Sequence, residues 1–132
     1  MIRFLLDTDF CIHAIRKRTK SVSKKLIESA DKMALSDITL YELYYGAETY
    51  AEPQLRINVI ENFAAGMRIL PFDTEAARHA GNIRGHLKRT GQMIGNSDVL
   101  IAGIARSQGL VLLTGNVREF SRIDGLNIES WR

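Results

Sequence analysis

Acidic side chains recur in this sequence after strand-like or helix-like segments, where a folded chain could gather them. The carboxylates concerned are Asp7, Glu42, Asp98 and Glu119. Asn116 adds a neutral amide oxygen just before the last of them. Two carboxylates 4 Å apart repel each other by about 4 kcal/mol at an effective dielectric near 20. A cluster of this kind therefore requires a cation.

The kinds of ligand atom in this cluster indicate which cation would bind. Carboxylate and amide oxygens, with no Cys or His beside them, favour a hard ion such as Mg²⁺ or Mn²⁺. Mg²⁺ takes one or two carboxylates directly and keeps several waters, so we expect Asp7 and Asp98 as ligands. Glu42 and Glu119 would then orient the attacking water. Such a site polarises a phosphoryl oxygen and activates water, which predicts hydrolysis of a phosphodiester.

Each acid also has a purely structural interpretation. Asp7 or Asp9 could cap the helix that follows the first strand. Asp98 could cap the helix that begins at Val99, and Glu42 could lie on a solvated helix face. Glu119 could pair with Arg118 or Arg122. Spacing alone leaves the catalytic and the structural interpretations open.

Length and composition narrow the class of protein. The 132 residues fit one domain, expected to span 1–132, and 45% are hydrophobic and 25% charged. No stretch resembles a signal peptide or is apolar for long enough to span a bilayer, so we expect a cytoplasmic protein. The lone Cys11 excludes an intrachain disulfide and a cysteine zinc site. The net charge of +3 is compatible with a polyanionic partner.

Strand-like runs alternate with helical patterns along the chain. Strands are predicted near residues 1–6, 33–36, 68–71 and 110–114, with an edge strand in the tail 126–131. Helices are expected between them, one with Asp9 as its cap, one starting near Pro53 with Leu55, Val59, Phe63 and Met67 at helical spacing, and one opening at Asp73 or Thr74. This alternation predicts an α/β fold whose mostly parallel sheet of four to five strands is flanked by helices on both faces. The carboxyl ends of parallel strands face a common site, where Asp7 would lie.

Four stretches together resemble the PIN-domain ribonucleases of the VapC toxin family. They are FLLDTD (4–9), SDITLYELYYGA (36–47), GNSDVLIAGIA (95–105) and LTGNVREF (113–120). They occur in the family's order and at its distances, and they extend over most of the chain. The resemblance implies a PIN-like three-layer sandwich.

It also implies roles for individual residues. Asp7 and Asp98 would bind Mg²⁺, or Mn²⁺ in its place, Glu42 would act in the active site, and the fourth acidic position falls on Glu119 or is replaced by Asn116. Thr8, Asp9 and Thr114 would support the site. Asp9 departs from the family's usual Asn, and Asn116 departs from an Asp that is frequent in the wider family.

The resemblance further implies a biological setting. The protein would be the toxin of a type II toxin–antitoxin system and a homodimer, inhibited by a VapB-type antitoxin. Its substrate would be RNA, and the toxins most similar in motif cleave the anticodon stem-loop of initiator tRNA, which inhibits translation.

Basic residues could contact the phosphates of that RNA. We interpret Arg16, Lys17, Arg84 and Lys88 in this way. The alternative is that they only form a solvated charged surface.

Two other functions compete with the ribonuclease. A non-catalytic RNA-binding PIN module would keep the fold and bind RNA without cleaving it. A small α/β phosphohydrolase with an aspartyl-phosphate intermediate would require a late lysine near its site. No lysine follows Lys88, which weighs against that enzyme.

Overall fold

The structure, a computed structural model, describes residues 1–16 and 20–131. The strands are β1 (Phe4–Leu6), β2 (Met33–Ser36), β3 (Arg68–Leu70), β4 (Val111–Leu113) and β5 (Asn127–Glu129). The helices are α1 (Thr8–Ile15), α2 (Lys20–Ser29), α3 (Asp37–Glu48), α4 (Pro53–Ala64), α5 (Thr74–Arg89), α6 (Asn96–Ser107) and α7 (Val117–Phe120), with a 3₁₀ turn at Ala30–Lys32. In these residues no helix is both long and apolar enough to cross a membrane.

All strands pair in parallel in the order β3-β2-β1-β4-β5. The chain builds outward from β1 to β3, then returns to place β4 on the other side of β1. The strand order therefore reverses between β1 and β4. In open α/β sheets this switch point is where ligands bind, outside the carboxyl ends of the strands.

Helices cover both faces of the sheet and form two apolar cores. Leu5 and Leu112, which are register partners in β1 and β4, belong to the core under α5 and α6. Phe4 and Leu6 belong to the opposite core, under α1, α2, α3 and α4. Because both faces of β1 are buried, its sequence is an unbroken apolar run rather than an alternating one. The predicted three-layer sandwich is confirmed.

Three helices next to the sheet begin with a side-chain cap. Ser36 accepts a hydrogen bond from the Thr39 backbone N–H at 3.0 Å, and Asp73 accepts one from Ala76 at 2.9 Å. Asp7 caps α1 in the same way. The prediction of Asp9 as the cap was wrong, because Asp7 is the last residue with extended backbone and Asp9 already lies inside the first turn.

The apolar residues predicted at helical spacing on α4 do not all face the core. Leu55 and Val59 are 59% and 46% exposed, whereas Ile60 is only 6% exposed. Two apolar stripes run side by side on this helix, and the one that contains Ile57 and Ile60 packs into the core that α4 shares with α1 and α3.

Helices α5 and α6 approach each other closely at Gly103. A Cβ atom added there would lie 2.8 Å from the Ala76 carbonyl oxygen and 2.9 Å from the Ala80 Cβ. Only glycine fits this approach. The contact fixes α6, whose first turn carries Asp98.

The C-terminal segment closes the sheet beside β4. The Thr114 N–H donates to the Glu129 carbonyl oxygen at 3.1 Å, and β5 forms the edge predicted for the tail. Trp131 then packs edge-on against Phe4 and Phe10, with ring centroids 5.2 and 6.1 Å apart. The tail therefore contacts the same core as α1.

Candidate active site

Asp7 lies at the switch point, held from three sides. Its side chain is 2% exposed, and its carboxylate accepts hydrogen bonds from the Phe10 N–H at 2.7 Å and the Thr114 hydroxyl at 2.5 Å. Its backbone N–H donates to the Leu113 carbonyl oxygen at 3.1 Å. The carboxyl ends of β1 and β4 and the start of α1 thus fix one acid.

Thr114 extends this arrangement to the segment that carries Glu119. Its hydroxyl oxygen accepts the Asn116 N–H at 2.8 Å while its proton goes to Asp7. Asn116 is the first residue before α7, and Glu119 lies half-buried in that helix. The short α7 was not predicted, because four residues are too few to show a helical period.

Glu42 is held by a hydroxyl from the neighbouring helix. The Thr8 hydroxyl donates to Glu42 Oε1 at 2.5 Å, and its oxygen lies 3.2 Å from the Thr39 hydroxyl oxygen. Thr39 is fully buried one turn before Glu42 on α3. Thr39 was not predicted as a residue of the site. The spacing of three residues between Ser36, Thr39 and Glu42 was the available signal, because it places them on one side of the first turns of α3.

Burial raises the pKa of Asp7 to about 6. The hydrogen bonds from Thr114 and Phe10 favour the charged form and lower the pKa, but they do not offset the loss of water. The charges of Asp9 and Asp98 add to the increase. Asp7 is therefore a carboxylate in an environment that disfavours negative charge.

The pKa of Asp98 is raised in the same way as that of Asp7. Burial, together with the charges of Glu42, Glu119 and Asp9, raises its pKa to about 6. The structure thus brings together the four acids predicted from the sequence, and Asp9 with them, within one electrostatic field.

Carboxylates whose charges act on one another in this way would attract a cation. No three His, Cys, Asp or Glu side chains in the described residues are arranged to hold a metal ion together. Structural zinc, which takes four protein ligands, does not fit such a donor set. Mg²⁺ does, because it takes one or two carboxylates and completes its shell with water.

Two of the four predicted RNA contacts lie near residues of this site. Arg16 ends α1 and lines a cavity together with Glu42. Arg84 donates to Asn96 Oδ1 at 3.2 Å, at the start of the helix that carries Asp98. Lys88 is exposed further along α5, and Lys17 lies outside the described residues.

Comparison with known proteins gives the family. The PIN domain model matches residues 4–126. The chain is 44% identical to the tRNA(fMet)-specific endonuclease VapC of Shigella flexneri over 131 residues, which cover 99% of each chain. The chain belongs to the VapC group of PIN domain proteins. Ribonuclease VapC2 of Haemophilus influenzae is 41% identical with the same coverage.

Solved structures of this family share the fold over the whole chain. The DNA-bound VapBC of Salmonella typhimurium superimposes with a TM-score of 0.96 at 42% identity, covering 100% of both chains. VapBC2 of Rickettsia felis, bound to a fragment of its promoter DNA, gives a TM-score of 0.93 at 33% identity, again with 100% coverage of both.

Proposed function

We propose that this protein is a metal-dependent endoribonuclease and the toxin of a type II toxin–antitoxin system. The observation that supports it is the position of Asp7, buried where the strand order reverses and within the field of Asp9 and Asp98, in a chain of the VapC group. An RNA-binding module would gain nothing from carboxylates buried against one another, because they repel phosphate.

Each acid has a distinct task in this proposal. Asp7 and Asp98 would hold Mg²⁺, or Mn²⁺ in its place, and the bound ion would supply positive charge at the scissile phosphate. Glu42 orients the attacking water and accepts its proton, and the Thr8 hydroxyl holds Glu42 in place for this. Glu119 occupies the fourth acidic position, since its charge acts on Asp98, while Asn116 connects α7 to Thr114.

The relatives indicate the substrate. Because the Shigella flexneri relative is named a tRNA(fMet)-specific endonuclease and shares nearly the full length, we propose initiator tRNA, cut in its anticodon stem-loop, as the substrate here. Cleavage would stop translation, which places the activity in the cytoplasm. Arg16, Lys17, Arg84 and Lys88 would bind phosphates around the scissile bond.

The solved complexes indicate the partner. Since the neighbours were solved as VapBC assemblies, we propose that a VapB-type antitoxin binds this protein. We further propose that the toxin acts as a homodimer within that assembly.

Cleavage of total bacterial RNA by antitoxin-free protein tests the proposal. Wild type should cut one tRNA in Mg²⁺ and nothing in EDTA. Asp7→Asn should be inactive, and Asp31→Asn, the same chemical change at an exposed position, should cut like wild type. Cutting that survives EDTA or Asp7→Asn would refute the proposal, and RNA binding without any cutting would favour the non-catalytic module.

A further inference from the structure

A cavity of about 250 Å³ opens next to the acidic site, between α1, α3 and α4. Glu42 belongs to both, because it lines this cavity and accepts the Thr8 hydroxyl on the catalytic side. The proposed function uses only Glu42 and Arg16 of its lining.

The lining combines an apolar floor with a cationic rim. Leu43, Ala47 and Ile60 are buried at the floor. Arg16 and Arg56 lie at the exposed rim. The cavity therefore offers apolar contact inside and positive charge at its mouth.

One pair on the rim forms a flat surface. The Arg56 guanidinium carbon lies 4.2 Å from the centre of the Tyr50 ring, which is 44% exposed. Aromatic rings and guanidinium planes are the groups on which proteins stack unpaired nucleobases. Tyr50 and Arg56 thus present a stacking platform at the mouth of the cavity.

We propose that this cavity is a nucleotide subsite, which takes one unstacked base of the RNA substrate while Arg16 and Arg56 contact its flanking phosphates. The inference rests on the proposed function and deepens it. Because Glu42 is shared, the nucleotide bound here lies next to the cleaved bond. The subsite would therefore contribute to the choice of cleavage position in an exposed loop.

Size and charge favour a nucleotide over an apolar protein segment. A volume of about 250 Å³ holds a small group rather than a helix, which needs several apolar anchors in a row along a groove. Two arginines and a tyrosine at the mouth complement a phosphate and a base, whereas an apolar segment would leave both charges without compensation.

Filling the cavity tests the proposal. A Cβ atom on Gly46 meets nothing within 4 Å, so Gly46→Trp can place a ring in the cavity without a backbone clash. Gly81 on α5 is equally open and outside the cavity, so Gly81→Trp is the matched control. If Gly46→Trp does not fold, Val59→Trp replaces it, since Val59 lines the cavity and is already half exposed.

The readout is binding of an anticodon stem-loop RNA in which loop nucleotides are made abasic one at a time. Each variant is combined with Asp7→Asn so that the RNA stays intact, and affinity is measured by fluorescence anisotropy. In the control, one abasic position should weaken binding by between about fivefold and a hundredfold. Gly46→Trp should bind the intact RNA more weakly than Gly81→Trp does, by the same factor of about fivefold to a hundredfold. Making the same loop position abasic should not weaken binding to Gly46→Trp any further.

The outcomes separate this proposal from the one it rests on. The nuclease proposal holds if the protein with intact acids cleaves RNA. The subsite proposal is then wrong if Gly46→Trp binds RNA as tightly as Gly81→Trp, or if the losses of affinity caused by Gly46→Trp and by the abasic position simply add. If Gly46→Trp weakens only antitoxin binding, the cavity serves the protein partner and the subsite is also wrong. If RNA is neither bound nor cleaved, both proposals fail.

Discussion

Asp7→Asn should make the fold more stable while abolishing its activity. Burial raises the pKa of Asp7 from 3.8 to about 6, so the folded chain holds this proton more tightly than the unfolded chain does. The resulting destabilisation is absent below about pH 3.8, grows as the pH rises and is complete above about pH 6. A shift of about two pKa units corresponds to at most about 3 kcal/mol.

The substitution preserves the local hydrogen bonds. An Asn oxygen can accept the Phe10 N–H that Asp7 accepts now, and its amide can donate to the Thr114 oxygen. The cap of α1 therefore survives, and what changes is the charge. We expect the free energy of unfolding of Asp7→Asn to exceed that of wild type by about 2–3 kcal/mol at pH 8 and to match it near pH 4.

Urea unfolding at both pH values, in EDTA, measures this difference. Asp31→Asn serves as the control and should follow wild type at both. Adding Mg²⁺ at 100 times its Kd should stabilise wild type by about 2.7 kcal/mol and leave Asp7→Asn unchanged. The reasoning would be refuted if Asp7→Asn were less stable than wild type at pH 8, or if wild type gained no stability as the pH falls from 7 to 4.

Three further predictions concern the site and its support. Thr8→Val should release Glu42 and lower kcat by about tenfold to a hundredfold with little change in KM, and Thr8→Ser should restore the rate, as steady-state cleavage assays would show. The cleavage rate should fall as the pH drops below about 6, where Asp7 and Asp98 take up protons, and higher Mg²⁺ should move the midpoint to lower pH; a rate flat between pH 5 and 8 would contradict this. Gly103→Ala should lower the free energy of unfolding by about 1–3 kcal/mol because it forces α5 and α6 apart, whereas Gly81→Ala should not lower it, and urea unfolding compares the two.

The central strands of the sheet could be predicted from the sequence because they are buried on both faces. The runs around β1 and β4 are apolar without interruption, and β2 was predicted with the bounds that it has in the structure. The carboxyl ends of parallel strands share one edge of the sheet, so the position of Asp7 directly after β1 predicts that it lies at that edge.

Other features depend on contacts between segments that lie far apart in the sequence, which a local sequence pattern does not predict. The two apolar stripes of α4 have the same period, and only the packed neighbours decide that Ile60 is buried and Val59 is not. The link from Thr8 to Glu42 joins residues 34 positions apart, and a threonine next to an acid gives no sign of it. The cavity at Gly46 likewise arises between three helices and has no motif of its own.

The bond between Asp7 and Thr114 joins residues 107 positions apart, and it has a consequence for the time at which the protein becomes harmful to its host. A ribosome synthesises β1 first and β4 almost last, and β5 must still leave the exit tunnel before it can pair with β4. Until then Asp7 lacks the neighbouring strand that orients it, and Glu119 is missing. A nascent chain would therefore lack the assembled site until the segment that carries Thr114 and Glu119 has been synthesised.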